Sequence, residues 1–543
     1  MKQVFFLVLL FAFALCSRQS YGQGTVPFKS KGSDTIRTVY IWHADTLRES
    51  KSRASSKDTT ISVQSLFGHV KLQQEKTLFY GDSVAINQND NTVESFGNVH
   101  INDNDTVNIY SQYMKYYVDK KYIIFQKKVT LTDGKGILTT EDLQYDMNLK
   151  IGNYTQGGKI VNEGTTITSK DGTYYSETKD AYFKNNVVLK DPAYDLTADS
   201  LLYNTETKMA TFVTETFIRD SVGRTVRTRE GFYDLLHHKA RFGQRSKLTD
   251  SAQSVVADEI NFDDSTGINI ATGNAVVKDT AQGTVVIANY MINDRKHNTV
   301  LATQKPLMII KQDKDSIYVS ADTLFSGQIP DSLLTRVDST GNITQLDRRS
   351  PNDSSKRFLQ AYHHVRIFSD SMQAVCDSLY YSGLDSVFRL YTNPIAWASG
   401  YQVTGDTMYM YTKNKKPDHV YVFENGLVVG KSGENMYNQV KGKTINGIFK
   451  DGQIDYMRAK GNAESVYYIK DDSAAFVGVN RVNKADIIDM IFQDKELNRV
   501  VLRNDADGVM YPIKKVNIDE MKLRNFKWLD DRRPKTKAEL FGN

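Results

Sequence analysis

The sequence predicts an all-β protein built from stacked repeats, and three observations carry that reading. The first is a recurrent strand pattern: an acid, an apolar residue two positions on, and an aromatic or apolar residue two further on. It appears as Asp199/Leu201/Tyr203, Asp82/Val84/Ile86, Glu141/Leu143/Tyr145 and Asp258/Ile260/Phe262, and again as Asp377/Leu379/Tyr381, Asp406/Met408/Met410 and Asp486/Ile488/Met490. Residues at i, i+2 and i+4 share one face of a strand, so each copy reads as a half-buried strand. The second observation is a partner element with Ala181, Phe183, Val187 and Leu189, repeated as Ile123, Phe125, Val129 and Leu131. Pairs such as Gly97-Asn98, Asn185-Asn186 and Gly273-Asn274 interrupt this element, and such pairs allow a bulge at which the strand curls over. The third is the spacing of the acids: Asp142, Asp171, Asp199, Glu230 and Asp258 advance by 29, 28, 31 and 28 residues. A period of this size marks units that bury their faces only against neighbours.

Residues 1–22 read as a secretory signal: Lys2, an apolar run from Val4 to Leu15, and small residues before Gln23. The large Leu15 argues against Cys16 as a lipoprotein cysteine. The Lys/Ser/Thr-rich stretch 23–60 reads as a flexible lead. A first repeat array spans 61–325, a polar insertion with Pro330 and Pro351 covers 326–357, and a second array covers 358–513. A basic tail, 514–543, follows. It reads as either a frayed terminus or a docking peptide around Trp528.

The chain has 9 prolines against 31 tyrosines and 25 phenylalanines, a balance that favours strands. Its net charge is +5; without Lys2 and Arg18 it is +3, and the tail holds nine basic and five acidic residues, so the body is near −1. A basic tail on a near-neutral body argues against a nucleic-acid groove. Once the signal is removed only Cys376 remains, which excludes an intrachain disulfide. Cys376 reads as a packed residue on the face opposite Asp377 and Leu379, with no role as a thiol nucleophile.

No catalytic, metal or cofactor site is expected. Gly426 and Gly430-Lys431-Ser432 leave three intervening residues where a phosphate loop needs four. His237-His238 and His363-His364 are adjacent pairs and lack metal-ligand spacing on a strand. The recurring acids appear in nearly every repeat, whereas a catalytic pair occurs once. They read as structural groups that bond a neighbouring turn.

The Ala-Asp-x-Leu-x-Tyr strand of Ala198–Tyr203, its variants at Ala257–Phe262 and Ala321–Phe325, and the return strand Phe96-Gly97-Asn98-Val99-His100-Ile101 resemble the OstA-like family. That family includes the periplasmic bridge protein of lipopolysaccharide transport and the N-terminal domain of its outer-membrane translocon partner. The resemblance is clearest over 61–325 and weaker over 358–513. It implies a folded-over antiparallel β-jellyroll, here in two arrays, whose apolar inner face holds acyl chains. The expected function is a periplasmic protein, possible at the outer membrane, that carries or bridges lipopolysaccharide or a related envelope lipid. The expected groove lining is Leu143, Tyr145, Phe183, Val187, Leu189, Leu201, Tyr203, Ile260 and Phe262. The expected partners are OstA-like domains joined by edge-strand pairing, including end-to-end copies of this chain. The chain is much longer than the family's bridge protein. Two other readings stand beside this one: a secreted adhesin or scaffold with a dry core, and a polysaccharide-acting β-helix enzyme. A dry core and a lipid groove share the same apolar pattern.

Overall fold

The computed structural model describes residues 24–29, 36–53, 60–311, 316–329, 335–337, 343–345, 357–413, 416–450, 453–493 and 496–540. The expected signal segment lies outside them, as does most of the expected insertion. The strand pairs are antiparallel throughout, and the described helical turns are short 3₁₀ segments after Pro512. No described helix is long and apolar enough to cross a membrane.

The chain forms two compact units. The first runs to Ser221 and takes back Asp234–Leu236; the second comprises Val222–Tyr233 and His237 onward. This division differs from the one expected at 326–357. Within the second unit, Thr323–Gln328 pairs with Arg357–Phe368 from Thr323↔Tyr362 to Gln328↔Arg357. The ladder therefore closes directly across the insertion, which carries a small hairpin of its own, Thr335–Val337 with Ile343–Gln345. A long loop between adjacent strands adds little closure entropy, so an insertion can leave a sheet intact.

The lead differs from expectation as well. Gly24–Lys29, Ile36–His43 and Thr46–Arg53 are strands, joined to the first array through Thr60–Gln74. The alternation that builds them, Val26/Phe28 and Val39/Ile41, is buried. It is short and set among Lys, Ser and Thr, so composition hides it.

The first unit is a meander whose long strands bend at mid-length. Register slips by one residue at Phe96/Val99, Tyr110/Tyr113, Gln126/Val129 and Lys184/Val187. Many bends consist of two consecutive residues in the left-handed region: Gly97 and Asn98 at φ 72° and 43°, Lys127 and Lys128, and Asn185 and Asn186. Gly and Asn tolerate that region best. The recurring acids hold these bends. Asn98 Nδ2 donates to Asp82 at 3.0 Å and Asn185 to Asp171 at 2.6 Å, and bends of the second unit repeat the bond, Asn274 to Asp258 at 3.0 Å and Asn425 to Asp406 at 2.9 Å. In the second unit His363 and His364 occupy such a bend and meet Asp377 and Asp322 at 3.3 and 2.9 Å.

The acid does not share a face with the apolar residues that follow it. Asp199 is outside while Leu201 and Tyr203 are buried, because the strand passes from one leaf to the other at that point. The same crossing buries both Cys376 and Leu379, which were expected on opposite faces. Bending at successive bulges folds each strand into two half-strands, so the sheet folds over an interior.

The tail lies along the second unit in 3₁₀ turns. Gln439 donates to Met521 O at 3.2 Å and accepts from Leu523 N at 2.9 Å. Gln402 repeats the arrangement with Lys527 O at 2.8 Å and Leu529 N at 2.7 Å. Gln373 accepts from Arg533 Nε at 2.8 Å. These buried amides act as surrogate backbone partners, each pairing an N–H and a C=O of the tail in the first two cases. Met521 and Leu523 join the buried cluster of Leu427, Val429, Val466, Tyr468 and Val479, Leu529 packs on Trp397, and Leu540 packs on Leu307 and Phe368.

Candidate functional site

The interior of the first unit is made by one side chain in two from each half-strand. Phe183 faces Leu201 across the ladder, Ala181 faces Tyr203, and Leu189 faces Leu196. Leu143 and Tyr145 lie opposite Phe125 and Ile123. Leu143, Tyr145, Phe183, Val187, Leu189, Leu201 and Tyr203 are all buried to within 1% exposure. Ile260 and Phe262 belong to the second unit, opposite Phe242 and Ala240. Ile260 is buried there, whereas Phe262 is half-buried and meets Phe242 edge-on with centroids 5.6 Å apart. The site residues therefore fall into two sets, seven in the first unit and two in the second.

The second unit encloses a small apolar cavity of about 30 Å³, lined by Met372, Met408, Met410, Met457, Phe449 and Phe492 among others. Its volume is that of about one water. Methionine is the most adaptable of apolar side chains, so this lining can re-pack around a guest.

A polar seam closes the first unit, and the sequence reading did not identify it. Tyr116, Tyr145, Tyr174 and Tyr203 recur every 29 residues, as do Lys121, Lys150, Lys179 and Lys208. Each tyrosine sits at the end of one half-strand or just before a turn and reaches a group on the opposite rim. Tyr116 donates to Gln74, Tyr145 to Asp103 at 3.1 Å, and Tyr174 to Asp133, while Asn162 donates to Tyr203 at 3.4 Å. The lysine beyond the next turn meets the same rim: Lys121 with Glu75 at 2.7 Å, Lys150 with Asp103, Lys179 with Asp133 at 2.7 Å, and Lys208 with Glu163. Thr77 adds a bond to Asp103 at 2.8 Å, and Asn162 a bond to Thr205 O at 2.7 Å. The side chains of Asp103 and Asp133 are only 3% and 1% exposed.

Electrostatics follow from burial at this seam. Burial pushes the phenols of Tyr116, Tyr145 and Tyr174 well above their ordinary value and that of Tyr203 up to about 12, so all four stay protonated even in alkaline solution well past neutral pH. Burial also tends to raise the Asp133 carboxyl. Bonds from Lys179, Tyr174 and the N–H groups of Lys135 and Gly136 outweigh it and hold the group below its ordinary value. Cys376 is buried in the second unit, and burial pushes its thiol up to about 12. Among the described residues, no cluster of three or more His, Cys, Asp or Glu gathers as a metal site.

Bent strands, an apolar interior and rims joined by side chains define a folded-over antiparallel β-jellyroll. Residues 37–199 match the family model described as OstA-like protein, so the chain carries an OstA-like segment, and it lies wholly in the first unit. Among curated proteins, no sequence matches the chain. Among solved structures, the chain is similar to LptH, the LptA-homologous periplasmic component of the lipopolysaccharide transport device from Pseudomonas aeruginosa. Identity is 10% and the TM-score 0.19, over 20% of this chain and 83% of that one.

Proposed function

We propose that the chain is an exported lipid carrier that takes lipopolysaccharide or a related envelope lipid into the folded-over sheet and passes it toward the outer membrane. The observation that carries this reading is the interior of the first unit: the OstA-like segment supplies an apolar side chain from each half-strand, repeat after repeat. Each methylene buried there contributes about 0.8 kcal/mol, so an acyl chain gains several kcal/mol from such a lining. Transfer then proceeds by affinity and displacement, with no bond made or broken. Among the described residues, Gly24–Lys29 pairs only with Ile36–His43, and Asp507–Pro512 only with Phe476–Gln493. The second of these strands exposes Val509 and Met510. Such edges accept a further strand from a like domain, which extends the path.

A second reading is a scaffold with a dry core, and the near-complete burial of Leu143, Phe183 and Leu201 favours it. One experiment separates the two. A photo-crosslinking side chain placed at Phe183, inside, or at the neighbouring exposed Lys184, outside, is irradiated in the periplasm of a Gram-negative host. The carrier reading expects lipid adducts from position 183 and none from 184. Adducts from neither position, with lipopolysaccharide also absent from native mass spectra after it is added back, leave the scaffold.

A further inference from the structure

We propose that the seam of the first unit is a lateral gate whose lysines take the phosphates of a phosphorylated lipid headgroup while its acyl chains occupy the interior. This inference rests on the carrier reading and goes beyond it by naming the route of entry and the headgroup chemistry.

The seam is a boundary of the first unit that side chains close in place of a backbone ladder. Elsewhere its strands are joined by backbone ladders, whereas the bonds that cross between the rims each run through a side chain. Opening a ladder exposes rows of backbone groups; opening the seam exchanges side-chain pairs for water or a ligand. Opening parts both members of each pair: Asp103 and Asp133, buried in the closed seam, gain water, and Lys150 and Lys179, already partly exposed, are left at the rim without their anionic partners. An anion restores them, and a phosphate supplies several acceptors in charge-assisted bonds. The freed hydroxyls of Tyr145 and Tyr174 add donors beside them. Successive lysines stand two strands apart, ~10 Å, so two phosphates on one headgroup can engage neighbouring lysines. The interior beneath the gate is apolar, so the feature selects an amphiphile over a free anion.

The test uses two variants of the mature chain. Asp103→Asn with Asp133→Asn keeps shape and frees the lysines; adding Lys150→Gln and Lys179→Gln makes the seam neutral. Affinity is measured for lipid A carrying both phosphates and for the same lipid A after dephosphorylation, each in detergent micelles. In the first variant the preference for the phosphorylated form rises about tenfold, the size of one charge-assisted bond. In the neutral variant the preference disappears. A preference unchanged in both variants, with each lipid still bound, overturns the gate and leaves the carrier reading standing; failure of the unaltered chain to take either lipid overturns both. Inorganic phosphate is the third probe. If it displaces the phosphorylated lipid completely and stabilises the lipid-free chain equally well, the seam is a simple anion site and the gate is overturned.

Should the variants fail to fold, a photo-crosslinker at exposed Leu149, beside Lys150, tests the gate in an otherwise unaltered chain. Adducts with the phosphorylated lipid support it. Adducts from position 183 with none from 149 overturn it.

Discussion

At the scale of the residue, Asp133 shows how a buried charge serves the fold. Its carboxylate is held below the ordinary value by Lys179, Tyr174 and two backbone N–H groups despite burial. A carboxyl depressed in the folded state adds stability that is fully present above its unfolded value, near 3.9, and is lost as pH falls through the folded value. Asp133→Asn is therefore expected to destabilise the chain at neutral pH, and the deficit is expected to shrink as pH drops below about 3.9. Urea denaturation of both proteins along a pH series measures this; a deficit independent of pH contradicts it. Gly97 gives a second expectation. At φ 72°, an added Cβ would collide with Asp82 Oδ2, so Gly97→Ala strains the backbone and displaces the acid that holds the bend. A loss of about 1–3 kcal/mol is expected in thermal or urea melts, with no change in the apolar lining.

At the scale of the element, the tail behaves as a strap held by glutamines. Gln402→Ala leaves Lys527 O and Leu529 N without their partner, which costs about 1–3 kcal/mol if water cannot replace it. Removing 513–543 uncovers Leu427, Val429, Val466 and Tyr468 and takes Leu529 from Trp397. Compared in a Trp42→Phe, Trp528→Phe background, the truncated chain should bind a hydrophobic dye and show red-shifted emission from Trp397; unchanged emission and no dye binding would mean that the strap covers nothing of consequence. The strands under it were legible in sequence because their alternation is regular. The strap was not, because its anchors are isolated: Met521, Leu523, Leu529 and Leu540 follow no period, and their receivers are glutamines scattered over three strands. The bends were legible at Gly97-Asn98 and Asn185-Asn186, where residue type announces the left-handed backbone. At Lys127-Lys128 and His363-His364 the fold imposes the same conformation on residues that do not announce it. The apolar set from Leu143 to Tyr203 was legible from its pattern, although Tyr145 and Tyr203 also carry hydroxyls aimed at the opposite rim, a second role that apolar periodicity cannot reveal.

At the scale of the whole molecule, one feature of the first unit sets a rule about length. Tyr145 reaches back 42 residues to Asp103 and Tyr174 reaches back 41 to Asp133, while the tyrosines themselves lie 29 apart. Each closure thus joins turns one and a half modules apart, and the wall is threaded like a screw with a fixed pitch. A thread tolerates the loss of a full turn but not of part of one. Deleting 150–178 brings Lys179 to the place of Lys150 and sets Tyr203 and Lys208 against Asp133. A cut of half that length leaves each hydroxyl facing the wrong groove. The shortened chain with the whole module removed should fold and melt cooperatively by circular dichroism, whereas the half-module deletion should not. On this geometry the threaded wall from Tyr116 to Lys208 changes length only in whole modules, and a gene encoding such a wall grows by duplicating 29-residue increments.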